Sequence, residues 1–395
     1  MIRGWERGPI ERGDEPERTK YPEQAERQTL GGGGRKHEHQ LFHDGARALR
    51  EARSVTMVVT DLLSSADRAR ARVFLEAQGL AFEPAFDDLV GIFDGDALVA
   101  VGARERDILK MLAVDPAEQG GGLLGALVTE LARRGLAAGH DDLFVFTKPQ
   151  YATSFEALGF ALLASQARAA LLEYGHGLER WLAANRGEVR AGANGAVVVN
   201  CNPFTLGHRY LIEEAARRVD ALYVFVVRED RSAFPFEVRR RLVREGTSDL
   251  ANVRVLDTSR YAVSAVTFPA YFLKRPDDVG AIQLELDLTL FARRIAPFFH
   301  VKRRFFGNEP YCATTRAYNA AMHRILPSFG IEAIELERKG ARGEAISASG
   351  VRAALRADDL ARLDELVPSH VAAFLRSHDS RDVRERLRKD DGRHG

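Results

Sequence analysis

A βαβ unit is the feature of this sequence that most restricts its fold. Ala196–Val199 has the character of a short buried strand, and a second β run follows at Leu222–Val227. An amphipathic helix is predicted between them, because apolar side chains recur at helical spacing from Leu211 to Val219. From residue 194 onward strands continue to alternate with helices. The pattern predicts an α/β domain with a parallel sheet, whose ligands bind at the carboxyl ends of the strands.

A polar loop joins the first strand of this unit to its helix. It reads Asn-Cys-Asn-Pro-Phe-Thr-Leu-Gly before His208. Gly207 lets a phosphate approach the backbone closely, and Thr205 and His208 can donate hydrogen bonds to phosphate oxygens as charge builds there. A cationic histidine at a helix start is disfavoured by the helix dipole unless an anion lies nearby. The loop therefore favours a phosphate-binding role over a histidine that merely packs.

A second phosphate-binding candidate lies near the C-terminus. The stretch Ile-Ser-Ala-Ser-Gly-Val-Arg begins at Ile346, and Ser347 and Ser349 are good N-cap residues for a helix. Arg352 would then lie in the first turn, where a cation is misplaced unless it binds an anion. A bound polyphosphate would resolve that conflict through charge-assisted hydrogen bonds. A plain Ser-capped helix explains the serines but not the arginine.

These two segments resemble known signatures. Thr-Leu-Gly-His matches the (H/T)xGH motif of the nucleotidyltransferase superfamily, and Ile346–Arg352 fits its ISxSxxR motif. Across residues 190–370 the chain resembles, more narrowly, the citrate lyase ligase family. Beyond the loop before His208, this resemblance is carried by Phe225–Asp230, Phe234–Phe236, Thr267–Leu273, Gly307–Cys312 and Tyr318–Asn319.

The resemblance implies an ATP-dependent acid–thiol ligase. Acetate would attack the α-phosphate of ATP, giving acetyl-adenylate and pyrophosphate, with Mg2+ bridging phosphate oxygens. The acetyl group would pass to the thiol of a dephospho-CoA-type prosthetic group on the citrate lyase acyl carrier subunit, which activates citrate lyase. His208, Thr205 and Arg352 would be catalytic. Nucleotide binding is assigned to Asn202, Phe204, Gly207, Gly307, Glu309, Ile346, Ser347 and Ser349. No dedicated metal-ligand set is visible, which is normal for Mg2+.

Residues 46–175 carry a different pattern. Strands are predicted at 86–93, 97–103, 108–114 and 143–147, and a helix at 123–134. The loop before that helix contains Gln119, Gly120 and Gly122, where helix-start N–H groups beside glycines suit an anion, although a tight turn would have the same sequence. With Phe155–Phe160, this half resembles the GNAT acetyltransferase fold, whose loop holds the pyrophosphate of an acyl-CoA. The three loop residues are therefore candidates for binding a CoA-like group.

Two departures from the GNAT pattern argue against acetyl transfer. Leu124 stands where Gly or Ala is usual, and Phe155 stands where a Tyr often serves as general acid. Phenylalanine has no proton to donate. We therefore expect a module that recognises CoA or a carrier, or one that is purely structural. The predicted fold class is α/β, with a GNAT-like α+β domain followed by a Rossmann-like parallel-sheet nucleotidyltransferase domain.

Composition predicts where the domains and tails begin and end. Residues 1–45 are rich in Arg, Glu and Gly and poor in aliphatics, which predicts a disordered tail. The GNAT-like domain would span 46–175, a linker 176–192 and the nucleotidyltransferase domain 193–378. A charged, solvated tail is predicted at 379–395.

Charge and hydropathy exclude several partners. Lys and Arg total 57 against 56 Asp and Glu, a net charge of +1, which is not the signature of a nucleic-acid or anionic-membrane binder. No apolar run approaches the roughly 20 residues that span a bilayer, and no signal peptide is evident, so a cytoplasmic location is expected. Two cysteines exclude a disulfide framework. Of these, Cys201 is interpreted as a small buried residue rather than an acyl acceptor.

Several alternatives stay open. Arg239–Arg241 form either a solvated helix face, which is favoured, or a phosphate contact, and Lys302–Arg304 face either phosphate or the acidic carrier. A second function is an adenylyl- or cytidylyltransferase acting on a phosphorylated coenzyme precursor. A third is a non-catalytic protein that senses acyl-CoA. Acetate-dependent release of pyrophosphate separates the first function from the second, and absence of ATP turnover would favour the third.

Overall fold

The computed structural model describes most of the chain from residue 58 onward. The described ranges are 58–228, 232–262, 271–272, 279–309, 312–338, 340–341 and 344–389. The predicted N-terminal tail, 1–45, lies outside the described residues, and so do parts of the segments that carried the family resemblance.

A seven-stranded sheet forms the N-terminal half, in the order β1-β2-β3-β4-β5-β7-β6. The strands are β1 (Val59–Asp61), β2 (Asp88–Asp94), β3 (Ala97–Glu105), β4 (Ile108–Val114), β5 (Leu143–Thr147), β6 (Phe160–Ser165) and β7 (Ala170–Tyr174). The helices of this half are α1 (Ser65–Ala77), α2 (Leu123–Ala137) and α3 (Ala152–Glu156). The sequence predictions for β4 and β5 are confirmed to the residue, and a turn at residues 95–96 joins β2 to β3.

The strands β4 and β5 are the one parallel pair of neighbours in this described sheet. Their ladder joins only Ile108 with Phe144 and Leu109 with Val145, although β4 continues to Val114. Beyond this ladder lies a gap, which we call the wedge, between Met111–Val114 and Phe146–Thr147. Backbone groups that face the wedge need partners from elsewhere.

A five-stranded, fully parallel sheet forms the C-terminal half, in the order β10-β9-β8-β11-β12. Its strands are β8 (Asn194–Val199), β9 (Leu222–Val226), β10 (Val253–Asp257), β11 (Val301–Gly307) and β12 (Glu332–Leu336). The chain order runs outward from β8 in one direction and then resumes on its other side at β11. That reversal between β8 and β11 is the topological switch point, where ligands of open α/β sheets bind. The expected α/β class is confirmed.

Helices cover both faces of this sheet. They are α4 (Gly177–Ala184), α5 (Leu206–Ala216), α6 (Phe236–Glu245), α7 (Val279–Leu290), α8 (Ala296–Phe298), α9 (Ala313–Ile325), α10 (Ala348–Arg356), α11 (Leu363–Leu366), α12 (Ser369–Arg376) and α13 (Arg381–Lys389). A π-helical segment, Phe291–Ile295, continues α7, and β13 (Gly340–Ala341) pairs with β14 (Glu344–Ala345). Short 3₁₀ segments lie at Pro116–Glu118, Pro149–Tyr151, Arg186–Glu188, Leu326–Phe329 and His378–Ser380.

The stretch predicted as a linker packs between the two halves. Its helix α4 carries Trp181, whose ring lies 6.0 Å from that of Tyr261 and whose Nε1 donates to Asp257 at 3.1 Å. Beside it, the Tyr261 hydroxyl donates to the buried carboxylate of Glu173 on β7 at 2.7 Å. Burial raises the pKa of Glu173. The two halves therefore share a buried aromatic and polar interface.

Tyr271, from the C-terminal half, fills the wedge. Its hydroxyl donates to the carbonyl of Phe146 on β5 at 3.0 Å. Its own carbonyl accepts from Ala81 N–H at 2.7 Å. One side chain thus satisfies a backbone carbonyl of β5 that faces the gap.

The charged tail predicted from residue 379 is wrong over most of its described part. Residues 381–389 form α13, in which Val383 and Leu387 are buried four residues apart on one helical face. Arg356 on α10 donates to the Leu387 carbonyl at 3.3 Å. With only two apolar positions among charged residues, the amphipathic pattern of this helix was too weak to be recognised in the sequence.

Candidate active site

The two sequence motifs meet at the carboxyl edge of the parallel sheet, at the switch point. The loop after β8 leads into α5, whose N-cap is Thr205. Gly307 is the last residue of β11, the strand on the other side of the switch. The structure therefore brings the first loop and Gly307 to the same edge, as expected for the ends of parallel strands.

Thr205 and His208 cap each other at the start of α5. The Thr205 hydroxyl oxygen accepts from the backbone N–H of His208 at 3.2 Å. In return, Nδ1 of His208 accepts from the backbone N–H of Thr205 at 3.1 Å and lies 2.8 Å from the Thr205 hydroxyl. Because Nδ1 is an acceptor, the neutral ring carries its proton on Nε2. The ring is held by Phe204, which stacks on it at 6.1 Å with an interplanar angle of 17°.

His208 is a neutral donor rather than a cation. Burial lowers its pKa to about 4, and the positive charge of Arg338 contributes to the shift. The conflict between a cationic His208 and the helix dipole, which the sequence argument invoked, therefore does not arise. Because Thr205 holds Nδ1, the Nε2–H group of His208 has a fixed direction. Such a group can donate a hydrogen bond to a phosphate oxygen on which negative charge develops.

This protonation state predicts a flat pH profile. The folded pKa of His208 lies below its ordinary value of 6.5, so the ring stays neutral, and its contribution to stability is complete, above about pH 6.5. That contribution is lost as the pH falls from 6.5 toward 4, because the unfolded chain binds the proton first. The rate of adenylate formation should show no step near pH 6.5. A step there that is missing from a His208→Gln variant would contradict this assignment.

Gly207 is required by the fold itself. A Cβ atom at this position would lie 2.9 Å from the carbonyl oxygen of Ile346, which is closer than real Cβ contacts allow. Ile346 is buried and directly precedes Ser347, the N-cap of α10. From the sequence, we expected a phosphate to approach this glycine, but the backbone of the second motif occupies the side where a Cβ would project. Gly207 therefore lets the two motifs touch.

Arg352 lies in the second turn of α10 rather than in the predicted first turn. Ser347 is the N-cap and accepts from Gly350 N–H at 3.1 Å, whereas Ser349 is inside the helix, so Arg352 begins the second turn. Its Nη1 donates to the carbonyl of Asn202 at 2.8 Å, and its Nη2 donates to the Ser349 hydroxyl at 3.0 Å. The helix dipole is weaker there. Arg352 therefore reaches across from α10 to the first loop, and this bridge fixes its position.

Glu309 pairs with Arg338, a residue for which no role was predicted from the sequence. Its carboxylate forms an ion pair with Arg338 and accepts from Cys312 N–H at 3.0 Å, and its side chain is 7% exposed. Arg338 follows β12 and is further held by its backbone N–H, which donates to Asn308 at 3.0 Å. Because Arg338 also acts electrostatically on His208, it lies at the same edge of the sheet. A basic side chain just beyond a parallel strand was the available signal.

Arg239 is buried, which corrects the prediction of a solvated face for Arg239–Arg241. Its Nη1 donates to the carbonyls of Asn200 at 2.7 Å and Val227 at 2.8 Å, and its Nε donates to that of Phe234 at 3.0 Å. These bonds tie the loop after β8 to the loop after β9. Arg240 pairs with Glu237 near the surface, and Arg241 packs over Phe374.

Cys201 is a buried structural residue, as the sequence interpretation held. It is 1% exposed, and burial raises the pKa of its thiol, so the nucleophilic thiolate is disfavoured. Cys312, in contrast, is exposed. The position of Cys201 between Asn200 and Asn202 therefore reflects packing beneath the loop rather than acyl transfer.

The loop with Gln119, Gly120 and Gly122 lies on the surface of the N-terminal half. Gly120 and Gly122 have φ values of 87° and 82°, and Gly122 is the N-cap of α2 with no side-chain cap bond. The first N–H groups of α2 are therefore not satisfied by a capping side chain. Nearby, Phe155 is 4% exposed and packs edge to face on Phe160 at 5.7 Å.

The described residues hold neither a metal-ligand cluster nor a membrane-spanning helix. No group of three or more His, Cys, Asp or Glu side chains is placed there to hold a metal ion. Within the same ranges, no helix is both long and apolar enough to cross a membrane.

A parallel sheet that brings a Thr-x-Gly-His helix start and a Ser-x-Ser-x-x-Arg helix start to one edge defines a nucleotidyltransferase-type α/β domain. Residues 194–375 match the family model of the citrate lyase ligase C-terminal domain. The [citrate [pro-3S]-lyase] ligase of Klebsiella pneumoniae is 38% identical over 291 residues, which cover 70% of this chain and 83% of that protein. Its counterpart in Escherichia coli (strain K12) is 35% identical over 313 residues, covering 77% and 89%. The chain belongs to the citrate lyase ligase family.

Other proteins resemble parts of the chain. A phosphopantetheine adenylyltransferase of Streptococcus gordonii is 34% identical over 100 residues, which cover 24% of this chain and 61% of that protein. Among solved structures, an N-acyl amino acid synthase from uncultured soil microbes is 18% identical, with a TM-score of 0.27, and covers 30% of this chain and 90% of that one.

Proposed function

We propose that this protein activates citrate lyase by acetylating the thiol of a dephospho-CoA-type prosthetic group on the acyl carrier subunit, with ATP and acetate as co-substrates. The observation that carries the proposal is the neutral His208, whose Nε2–H is directed by the Thr205 cap at the switch point of a chain of this family. Arg338 and Arg352 supply positive charge at the same edge.

The first half-reaction is an in-line displacement. A carboxylate oxygen of acetate attacks the α-phosphorus of ATP, a new P–O bond forms, and the bond to the bridging oxygen breaks as pyrophosphate leaves with the electron pair. Such a transfer needs positioned phosphates and stabilisation of charge, and little covalent participation by the protein. The Nε2–H of His208 would donate to a phosphate oxygen as charge builds on it, while Arg352 would hold the leaving pyrophosphate.

The second half-reaction would transfer the acetyl group. The thiol of the prosthetic group attacks the carbonyl carbon of acetyl-adenylate, the thioester forms, and AMP leaves while the thiol loses its proton. Mg2+ would enter with the ATP phosphates, consistent with its preference for phosphate oxygens and water over an all-protein cage. The remaining roles follow from position. Asn202, Phe204, Gly207, Gly307, Glu309, Ile346, Ser347 and Ser349 would shape the nucleotide site. We place this activity in the cytoplasm.

Acetate-dependent exchange between ATP and labelled pyrophosphate tests the first half-reaction. We expect exchange only when acetate and Mg2+ are both present, with no need for the carrier subunit. Acetylation of the reduced carrier subunit, followed by mass, tests the second. Exchange that proceeds equally with and without acetate would contradict the proposal.

A second function is supported by one observation, the partial similarity to a phosphopantetheine adenylyltransferase. Such an enzyme would transfer the adenylyl group to a phosphorylated coenzyme precursor rather than to acetate. Pyrophosphate release on addition of 4′-phosphopantetheine, without acetate, would favour this alternative.

We further propose that the loop with Gln119, Gly120 and Gly122 recognises an anionic part of a CoA-like group but catalyses no acyl transfer. The uncapped start of α2 suits an anion. Tyr271 fills the wedge, so a ligand anchored at this loop cannot extend between β4 and β5 without displacing it. Phe155 has no proton to give. The boundaries proposed for this domain remain 46–175.

We therefore expect CoA to bind weakly and acetyl-CoA not to turn over. Titration calorimetry with CoA measures the first, and a Gly122→Asp variant, which adds a negative charge at the loop, should abolish the binding. Release of free CoA thiol from acetyl-CoA in the presence of small amines measures the second. Sustained release would show that the N-terminal half is a working acetyltransferase.

A further inference from the structure

A second cluster of polar side chains lies on the opposite face of β11 from α5. Arg304 is 3% exposed, and its guanidinium lies over the ring of Phe291 at 4.3 Å. Its Nη2 donates to the Tyr318 hydroxyl at 2.9 Å, and that hydroxyl donates in turn to the carboxylate of Asp287 on α7. Burial raises the pKa of Tyr318, which keeps the hydroxyl protonated. The cluster therefore holds one arginine in a fixed position.

One end of this arginine is unsatisfied. Nη1 of Arg304 is buried and has no hydrogen-bond partner in the described part of the chain. A buried guanidinium N–H group without an acceptor is costly, and native proteins rarely leave one unless water, an ion or a ligand completes it. Nη2 is bound to Tyr318, so Nη1 is the nitrogen of Arg304 that is buried without an acceptor.

Arg304 stands where the crevice of the switch point begins. The ladder between β8 and β11 ends with the pair Ala196 and Arg304, although β8 runs on to Val199 and β11 to Gly307. Val198 packs with the same core as Phe291 but is only half-buried, in the central strand of the sheet. The two strands therefore separate beyond Arg304, toward the edge at which β8 continues into the His208 loop.

We infer that Nη1 of Arg304 binds the carboxylate of a small monocarboxylic acid, and that this is the acceptor site for acetate; the identity of the acid rests on the proposed function. Because only Nη1 lacks an acceptor, it can bind one oxygen of a carboxylate, and the neighbouring Asp287 disfavours a ligand with more than one negative charge. Val198 and Phe306 supply apolar surface on the same face for a short alkyl group. The second carboxylate oxygen is then free to attack the α-phosphorus.

The test compares two arginines of the same strand. Arg304→Met removes the free donor, and Arg303→Met is the matched control, because Arg303 is exposed and pairs with Glu332 at 3.2 Å. In pyrophosphate exchange we expect the KM for acetate to rise about 10- to 100-fold in Arg304→Met, the loss of one charge-assisted hydrogen bond. The Kd for ATP should stay within twofold. Arg303→Met should leave both values unchanged.

Two milder variants test the inference even if Arg304→Met does not fold. Tyr318→Phe keeps the ring but removes the hydroxyl that orients Arg304, so the KM for acetate should rise several-fold while kcat changes less. Arg304→Lys should recover part of the acetate affinity. If both variants keep the wild-type KM for acetate, or if the Kd for ATP is what weakens, Arg304 is a structural or phosphate-binding residue and the inference fails.

Direct binding separates this inference from the proposed function. Line broadening of 13C-labelled acetate by the full-length protein needs no turnover, and it should vanish in Arg304→Met but persist in Arg303→Met. If the wild type shows acetate-dependent exchange but Arg304→Met broadens the signal equally, the function stands and the site is wrong. If the wild type binds acetate but shows no exchange, and Arg304→Met no longer binds acetate, the site stands and the proposed function is wrong.

Discussion

Replacing His208 by alanine is expected to slow acetate-dependent exchange between ATP and pyrophosphate by about 10²–10³-fold, comparable to the removal of one transition-state donor. The Kd for ATP should change much less, since the Nε2–H group acts mainly as charge develops on the phosphate. His208→Gln should retain part of the rate, because its side-chain N–H group can approach the position of Nε2. Single-turnover kinetics with saturating ATP measure the effect.

A matched histidine serves as the control. The rings of His208 and His370 both lie close to the ring of Phe204, at 6.1 Å and 6.2 Å. The Nε2 atom of His370, however, faces the carbonyl of Leu242 at 2.9 Å. His370→Ala should therefore leave the rate at saturation close to that of the wild type. If His208→Ala instead abolishes ATP binding while the rate at saturation holds, His208 is a ground-state contact and its proposed role is wrong.

The second large effect is expected at Gly207. Gly207→Ala places a Cβ atom 2.9 Å from the carbonyl oxygen of Ile346, so the two motifs must move apart. Overpacking of this kind costs about 1–3 kcal/mol of stability. A displacement on the order of 1 Å between Thr205–His208 and Arg352 would lower the rate by about 10²-fold. Thermal melts and exchange kinetics on the same sample measure both effects.

Gly280 provides the control glycine. It is exposed near the start of α7, and no atom lies within 4 Å of a Cβ built there. Gly280→Ala should raise stability slightly, because alanine loses less conformational entropy in a helix. Full activity in Gly207→Ala would show that contact between the two motifs is not needed for the reaction.

The sequence predicted what is encoded locally. The run Ile108–Val114 and the helix start at Leu123 were recognisable because strand and helix signals lie within a few residues of one another. Ser347 as an N-cap belongs to the same class, since capping needs only a side chain and the next three residues.

What the sequence could not show depends on burial and on distant contacts. Arg239 stands in a run of three arginines, which is typical of a solvated face, yet carbonyls from two loops bury it. Arg338 approaches His208 only because β12 joins the sheet beside β11. Arg304 ends a run of three basic residues, Lys302–Arg304, which is typical of an exposed surface, yet side chains of α7 and α9 bury it.

The placement of Tyr271 has a consequence for how the chain is made. The N-terminal sheet is complete once β7 leaves the ribosome, but the Phe146 carbonyl at the wedge has no partner until Tyr271 has been synthesised. Until then the nascent chain presents the sides of two strands that can pair with another molecule. A fragment that ends after β7 would keep this open edge permanently and should associate with itself. The N-terminal half therefore depends on the C-terminal half to close the wedge during synthesis.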